Sequence, residues 1–248
     1  MKDNFSKQAS EYARFRPAYP PELIETLADL APNHDLAWDC GTGNGQVAVL
    51  LSRLFRQVVA TDISERQLNN ATQASNITYR LEAAERSSLP DGQASLAVVA
   101  QAVHWFRFDD FYQEVRRVLK PKGILAVLGY GPFRTDTALD DIIGHFYNQV
   151  VGPYWDPERR YVDEGYRTIP FPFTEIPIAD YEMAYEWPLE VMAGYLGTWS
   201  AVQHYRKDKG VDPIPDVTRQ LAAAWGSEAT VKVRFPVLLR VGRLKGKG

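Results

Sequence analysis

Residues 36–45 read LAWDCGTGNG, a short apolar run that leads into three alternating glycines. Apolar side chains follow at helical spacing, at Val47, Leu50, Leu51 and Leu54. The pattern predicts a buried strand, a glycine-rich loop and then a helix. Such a loop brings backbone N–H groups and the positive end of a helix to one point, where a ligand can approach the backbone closely. Taken alone, the glycines also suit a simple tight turn.

Short apolar runs alternate with helical patterns on either side of this segment. Further strands are predicted at residues 58–61, 77–81, 96–100 and 124–128. Helices are predicted at residues 21–31, 64–71 and 108–119. Ser64 is placed to cap the second of these helices. Because the strands are almost continuously apolar, they suit a parallel sheet covered on both faces, which is a doubly wound α/β fold.

The second half of the chain is less regular and is predicted to form a cap. A proline- and aromatic-rich stretch at residues 153–173 is interpreted as a cap or loop. The elements predicted around it are helices at residues 139–150, 190–199 and 217–225 and strands at 183–187 and 231–241. We therefore predict a single domain over residues 1–248. Its parts are an N-terminal lid segment (1–35), a cofactor-binding core (36–130), a cap and acceptor-side insertion (131–230), and the last strand with the tail (231–248).

Composition narrows the class of protein. The 248 residues are 45% hydrophobic and 24% charged, which is typical of a globular chain. The chain has 28 Lys and Arg residues and 31 Asp and Glu residues, which gives a net charge of −3. This charge does not indicate the basic surface that binding of nucleic acid requires. The longest nearly apolar run, residues 96–106, is about half of a bilayer span, and no membrane segment is predicted.

The cysteines and histidines of the sequence indicate which redox compartment suits the chain and whether it can hold a metal. The single cysteine, Cys40, excludes an internal disulfide and a multi-cysteine zinc site, so a cytoplasmic location is predicted. His34, His145 and His204 show no ligand spacing with a cysteine or carboxylate cluster. We therefore predict that the chain holds no metal.

The acidic residue after the second strand points to a nucleoside ligand. Asp62 lies 21 positions after Gly41, where the second strand ends. At that point a carboxylate can accept hydrogen bonds from both hydroxyls of an adenosine ribose. The strand, the glycine loop, the helix and Asp62 together favour nucleoside binding over a simple turn.

A second acidic residue, Asp39, narrows the identity of that ligand. It stands two residues before Gly41, and the third glycine falls one position earlier than in the dinucleotide pattern G-x-G-x-x-G. A carboxylate there would repel a pyrophosphate but would favour a ligand with a cationic amine and a sulfonium centre. S-adenosylmethionine is such a ligand. A helix-capping or turn role for Asp39 is the alternative.

Several motifs in succession carry a resemblance to a known family. They are DCGTGNGQ at residues 39–46, ATD at 60–62, AE at 84–85 with LP at 89–90, and LKPKG at 119–123. Across residues 36–130 the chain resembles the class I S-adenosylmethionine-dependent methyltransferases. YARFRPAYP at 12–20, QAVHWF at 101–106 and TWS at 198–200 are similar to the small-molecule subgroup that includes trans-aconitate methyltransferase.

This resemblance implies a Rossmann-like seven-stranded sheet whose last strand is antiparallel, with a helical or loop cap. It implies that Asp39, Gly41 and Gly43 hold the methionine end of S-adenosylmethionine and that Asp62 holds the ribose. Around the adenine and the methyl group it implies contacts from Ile63, Ala84, Glu85 and Gln101. An exposed loop position is the alternative for Glu85. The usual glycine before Cys40 is missing, but the three glycines from residue 41 remain.

Arg16 is predicted to be a carboxylate clamp. It is flanked by Tyr12 and Tyr19, and guanidinium groups pair with carboxylates through two parallel hydrogen bonds. Arg16 is suited to hold either the acceptor or the carboxylate of the donor, and Tyr12, one helical turn away, is assigned to the donor side. Aromatic packing of an N-terminal lid helix is the alternative.

His104 is the predicted base or acceptor-positioning group. It directly follows the fourth strand, where sheet ends deliver ligands, and Trp105 and Phe106 stand beside it. A structural histidine bonded to backbone is the alternative. Methyl transfer depends mainly on holding the acceptor in line with the methyl group, so a carboxylate acceptor would need cationic clamps but no base.

The sequence thus predicts methyl transfer from S-adenosylmethionine to a small-molecule acceptor, with a carboxylate as the first candidate. Two other functions stay open at this point. One is a noncatalytic S-adenosylmethionine-binding or regulatory protein, because no catalytic residue is assured. The other is a dinucleotide oxidoreductase, which Asp39 and the glycine spacing disfavour.

Overall fold

The computed structural model describes residues 15–244. The strands are β1 (Leu36–Cys40), β2 (Gln57–Asp62), β3 (Ile77–Leu81), β4 (Ala94–Ala100), β5 (Leu119–Tyr130), β6 (Thr174–Glu175), β7 (Glu182–Trp187) and β8 (Val231–Arg243). The α-helices are α1 (Pro21–Leu30), α2 (Gln46–Ser52), α3 (Glu65–Asn69), α4 (Phe108–Val118), α5 (Leu139–His145), α6 (Arg159–Asp163), α7 (Leu189–Gly197), α8 (Ser200–Lys209) and α9 (Ile214–Ala224). Helix α5 continues as a π-helical turn at Phe146–Val150, and short 3-10 turns lie at Val103–Trp105 and Gly152–Tyr154.

The strands form one mixed sheet in the order β3-β2-β1-β4-β5-β8-β6. Strands β1 to β5 run parallel to one another, and β8 runs antiparallel to β5. The prediction of a doubly wound sheet with an antiparallel last strand is confirmed. The strand beyond β8 is divided in two: β7 pairs with Val231–Pro236, whereas the two-residue β6 pairs with Gly242 and Arg243. Strand β8 spans 13 residues, so it is long enough to pair with both.

Alternate side chains of the parallel strands enter two separate cores. On β4, Leu96 and Val98 pack into one core, whereas Ala97 and Val99 pack into the other. All four are wholly buried. Because successive residues of a strand point to opposite faces, a continuously apolar strand means that helices cover both faces. This arrangement leaves the carboxyl ends of β1, β2 and β4 side by side at one edge.

The cap contains more helix than the sequence predicted. Helix α6 lies inside the stretch interpreted as a cap or loop, and α8 was not predicted at all. Only Ala201 and Val202 of α8 are buried, so its apolar pattern is short. In addition, β5 begins at Leu119, and its register against β4 shifts between the pairs Leu119–Ala94 and Ile124–Leu96, where Lys122 has a left-handed φ of 66°. None of the helices within residues 15–244 has the length and apolar character needed to cross a bilayer.

Candidate functional site

A cleft opens at the carboxyl ends of β1, β2 and β4. It comprises about 910 Å³ when space open to solvent is counted. Most of the predicted donor-site residues line it: Arg16, Asp39, Gly41, Gly43, Asp62, Ile63 and Gln101. We call this space the donor cleft. Tyr12 lies outside the described residues, so its predicted role stays a prediction.

The glycine loop between β1 and α2 forms the floor of the donor cleft. Gly41 and Gly43 both have left-handed backbone, with φ angles of 71° and 56°. A Cβ atom on Gly41 would lie 2.7 Å from Cβ of Ala102, whereas one on Gly43 would meet no atom of residues 15–244 within 4 Å. Since Gly43 lines the cleft, that open space belongs to the cleft. A side chain at residue 43 would therefore occupy the volume a ligand needs.

Asp39 is an acidic group with unsatisfied hydrogen-bonding capacity. Asp39 is 1% exposed, and its Oδ2 accepts a hydrogen bond of 2.5 Å from the Thr42 hydroxyl. Within residues 15–244, Oδ1 of Asp39 has no hydrogen-bond partner although it is buried. Burial raises the pKa of Asp39 to about 7, and the charge of Asp62 contributes in the same direction. A cationic group in the cleft would satisfy Oδ1 and favour the ionised carboxylate.

Asp62 is held in place by the backbone around it. Its Oδ2 accepts from the Gly43 N–H and its Oδ1 from the Ser64 N–H, both at 2.9 Å. The predicted cap at Ser64 is confirmed, because its hydroxyl accepts from the Gln67 N–H at the start of α3. These bonds fix the carboxylate at the end of β2, where it lines the cleft.

Ala84 and Glu85 do not line the donor cleft. Ala84 is buried in the core, and Oε1 of Glu85 accepts a hydrogen bond of 3.0 Å from the Arg107 N–H. Arg107 directly precedes α4, so the Glu85 carboxylate caps that helix in the present arrangement. The predicted contact of both residues with adenine stays a prediction.

A second pocket adjoins the donor cleft and shares three residues with it: Arg16, Gln101 and Trp105. The residues that line only this second pocket are His104, Trp155, Asp156, Arg159, Val162 and Ser200. We call it the acceptor pocket. It brings the end of β4 together with the cap, since Trp155, Arg159 and Ser200 all come from the second half of the chain.

Arg16 occupies the wall between the two spaces. Its Nη1 donates to the Tyr130 hydroxyl at 3.3 Å and its Nη2 to the Thr198 carbonyl at 3.4 Å. The guanidinium also lies over the Tyr195 ring, 5.5 Å from its centre. Two motifs that the sequence analysis singled out separately, at residues 12–20 and 198–200, thus meet at this arginine. Both hydrogen bonds are long, so an anionic ligand could replace them.

A chain of hydrogen bonds links Gln101, Tyr166 and His104. The Gln101 amide nitrogen donates to the Tyr130 carbonyl at 3.0 Å, which leaves the amide oxygen as an acceptor. The Tyr166 hydroxyl donates to that oxygen at 3.5 Å and lies 3.2 Å from Nδ1 of His104. With the Tyr166 hydroxyl donating to Gln101, Tyr166 accepts from the Nδ1–H of His104, and we infer that Nε2 is left as an acceptor.

Neither Tyr166 nor Thr42 was predicted as part of the site. Tyr166 is fully buried with a left-handed φ of 60°, and Gln101 has a φ of 54°. Nonglycine residues held in this region tend to occur at functional sites. Backbone strain and a contact between residues 62 positions apart leave no mark in a sequence pattern. Trp155, from the aromatic-rich stretch at residues 153–173, lines the acceptor pocket.

The buried His104 makes an expected contribution to acid sensitivity. Burial, together with the charge of Arg159, lowers the pKa of His104 from 6.5 to about 3. Between those values the unfolded chain binds more protons than the folded one, so the free energy of unfolding falls as the pH falls. The wild type should therefore lose about 2 kcal/mol more than His104→Gln between pH 7 and pH 5.

Urea denaturation of both proteins across this pH range measures the difference. Asp39 titrates in both, so its contribution cancels. Parallel stability curves for wild type and His104→Gln would contradict the assignment of a neutral, buried imidazole.

The known proteins that are similar to this chain are methyltransferases, which agrees with a cleft suited to a methyl donor. A family model described as a methyltransferase domain matches residues 38–127. A candidate methyltransferase from Dictyostelium discoideum is 33% identical over 96% of this chain and 93% of its own length. An uncharacterized methyltransferase from Mycobacterium tuberculosis is 32% identical over 71% of this chain and 68% of its own.

Among solved structures, a candidate type II methyltransferase from Anaeromyxobacter dehalogenans has 39% sequence identity and a TM-score of 0.87. The match covers 94% of this chain and 100% of that one. The similarity therefore includes the cap as well as the sheet.

Proposed function

Since the chain belongs to the methyltransferase domain family, we propose that it binds S-adenosylmethionine in the donor cleft and methylates a small molecule in the acceptor pocket. The observation that carries this proposal is Asp39, whose buried Oδ1 has no partner within residues 15–244. The neighbouring pocket, which shares three lining residues with the cleft, is the space that we propose for the acceptor.

The residues of the donor cleft fit S-adenosylmethionine. Asp39 would pair with the ammonium group of its methionine end, and Asp62, already oriented by the backbone N–H groups of Gly43 and Ser64, would accept from the ribose hydroxyls. Ile63 would flank the adenine. When bound, S-adenosylmethionine supplies a methyl group made electrophilic by its positively charged sulfur.

Arg16 would hold the acceptor next to the donor cleft. It lines both spaces, and its guanidinium can pair with a carboxylate through two hydrogen bonds. We therefore propose a carboxylate as the acceptor group. A carboxylate is already ionised and nucleophilic at neutral pH, so the protein needs to orient it and exclude water rather than remove a proton.

His104 would orient the acceptor through Nε2. The lowered pKa of His104 keeps the imidazole neutral at pH 7, so it acts as a hydrogen-bond acceptor and not as a cation. The Tyr166 hydroxyl holds the ring from the opposite nitrogen. A hydroxyl or amine elsewhere on the acceptor would donate to Nε2.

A methylation screen tests the function. Purified protein with S-adenosylmethionine is incubated with panels of small carboxylates, alcohols and amines, and S-adenosylhomocysteine formation and product mass are measured. We expect methyl esters to accumulate from carboxylates, and Arg16→Ala to raise the KM for the carboxylate about tenfold or more while the affinity for the donor changes less. Donor binding without turnover of any acceptor class would favour a binding protein instead.

A further inference from the structure

Arg159 is the second arginine of the acceptor pocket, and it is held firmly from one side. Its Nε donates to the Tyr147 hydroxyl at 2.8 Å and to Oδ1 of Asp163 at 3.2 Å. Its guanidinium carbon lies 4.5 Å from the centre of the Trp155 ring, which is cation–π distance. The side chain is 20% exposed. The orientation of the guanidinium is therefore fixed before any ligand binds.

The other end of this guanidinium is unused. Within residues 15–244, neither terminal nitrogen of Arg159 makes a hydrogen bond, since both of its bonds use Nε. The terminal nitrogens are the pair that hold a carboxylate in parallel hydrogen bonds. The charge of Arg159 also contributes to the lowered pKa of His104, which faces the same pocket. The positive charge of Arg159 thus lies at the lining of the acceptor pocket.

The charge balance of the pocket favours an anion. Within the described part of the chain, Arg16 and Arg159 line it together with a single acidic residue, Asp156. Asp156 lies 3.9 Å from Nδ1 of His204, whereas Arg159 forms its ion pair with Asp163. Ser200 adds a hydroxyl at the start of α8. An anion at Arg159 would therefore meet two cations and one like charge in the pocket lining, with the carboxylate of Asp163 on the Nε edge of Arg159.

The two arginines differ in their relation to the donor cleft. Arg16 lines both the cleft and the pocket, whereas Arg159 lines the pocket alone. We propose that Arg159 is a specificity-determining residue that binds a carboxylate of the acceptor remote from the methylated group. This inference rests on the proposed function. The preferred acceptor then carries two carboxylates, one at each arginine.

Binding of dicarboxylates to the protein saturated with S-adenosylhomocysteine tests the proposal. The probes are succinate, glutarate and adipate, each compared with its monoamide by saturation-transfer NMR and calorimetry at constant ionic strength. In the wild type, at least one diacid should bind about tenfold or more tightly than its monoamide. In Arg159→Gln this preference should disappear, because the diacid affinity falls to that of the monoamide.

Matched variants separate a specific effect from a general one. Arg160→Gln removes the neighbouring charge of α6, which is exposed, bonds to Tyr161 and does not line the pocket. It should keep the preference for the diacid. Arg159→Lys keeps the charge without the paired donors and should restore only part of the preference. Thermal melting shows whether each variant is folded.

The outcomes distinguish this inference from the proposed function. Equal diacid and monoamide affinities in the wild type, no binding of any diacid, or a diacid preference that persists in Arg159→Gln would overturn the role of Arg159. Absence of S-adenosylhomocysteine binding to the wild type would instead overturn the proposed function. If Arg159→Gln fails to fold, Arg159→Lys decides the question. A reduced preference for the diacid in that variant supports the role of Arg159, and an unchanged preference overturns it.

Discussion

Replacement of Asp39 by asparagine is expected to weaken S-adenosylmethionine binding about 100-fold or more, because it removes the buried negative charge that pairs with the ammonium group. The same change should stabilise the protein. An asparagine oxygen can still accept from the Thr42 hydroxyl, while the desolvation of a buried carboxylate is avoided. Calorimetry and urea denaturation measure the two effects on the same samples.

The gain in stability should depend on pH in a defined direction. The pKa of Asp39 is raised by burial from 3.8 to about 7 in the folded protein. Between those values the folded state binds more protons than the unfolded chain, so this residue lowers the free energy of unfolding as the pH rises, with the effect complete above pH 7. The advantage of Asp39→Asn over the wild type should therefore grow by on the order of 2–4 kcal/mol from pH 4 to pH 8.

Two results would contradict this account of Asp39. One is a donor affinity in Asp39→Asn that stays within about threefold of the wild type, which corresponds to less than 1 kcal/mol. The other is a stability difference that does not change across this pH range. The second result alone would mean that Asp39 ionises normally, although it could still bind the donor.

A valine in place of Gly43 is expected to abolish donor binding while the protein stays folded. Among the described residues, no atom lies within 4 Å of a Cβ atom at residue 43, so we expect the new side chain to fill the donor cleft rather than disturb the core. The left-handed backbone adds strain of about 1–3 kcal/mol. We expect binding to fall about 100-fold or more, measured by the same titration.

Gly92 offers a matched control for the backbone strain. Its φ of 63° is close to the 56° of Gly43, and its added Cβ also meets nothing within 4 Å. Its N–H is hydrogen-bonded as well, to the Arg117 carbonyl, but it does not line the cleft. Gly92→Val should lose as much stability as Gly43→Val yet bind the donor normally. Equal loss of binding in both variants would contradict a local effect at the cleft.

The parallel half of the sheet was predictable because local signals agree with its fold. Buried parallel strands are short apolar runs, and β1 and β3 begin and end where the pattern predicts. The glycine loop and Asp62 could be placed in one site from the sequence alone, because parallel strands bring their carboxyl ends to the same edge of the sheet. The antiparallel direction of β8 came only from the family resemblance.

The acceptor pocket could not be predicted in the same way. Arg159 is on a five-residue helix, and Tyr166 lies in an irregular segment near it. Their roles depend on long-range contacts with Trp155 and His104, not on any local spacing. Glu85 belongs to a motif that resembles the family, and its carboxylate accepts the N–H of Arg107 at the start of α4, so its contact with adenine stays a prediction.

The central claim is that this cleft binds a methyl donor. Calorimetric titration with S-adenosylmethionine, S-adenosylhomocysteine and a nicotinamide dinucleotide, with Asp62→Ala as the comparison, tests it most directly. We predict micromolar binding of the first two ligands to the wild type, no binding of the dinucleotide, and loss of binding in a folded Asp62→Ala variant. Binding of the dinucleotide alone, binding of none of the three, or unchanged affinity in the variant would contradict the claim.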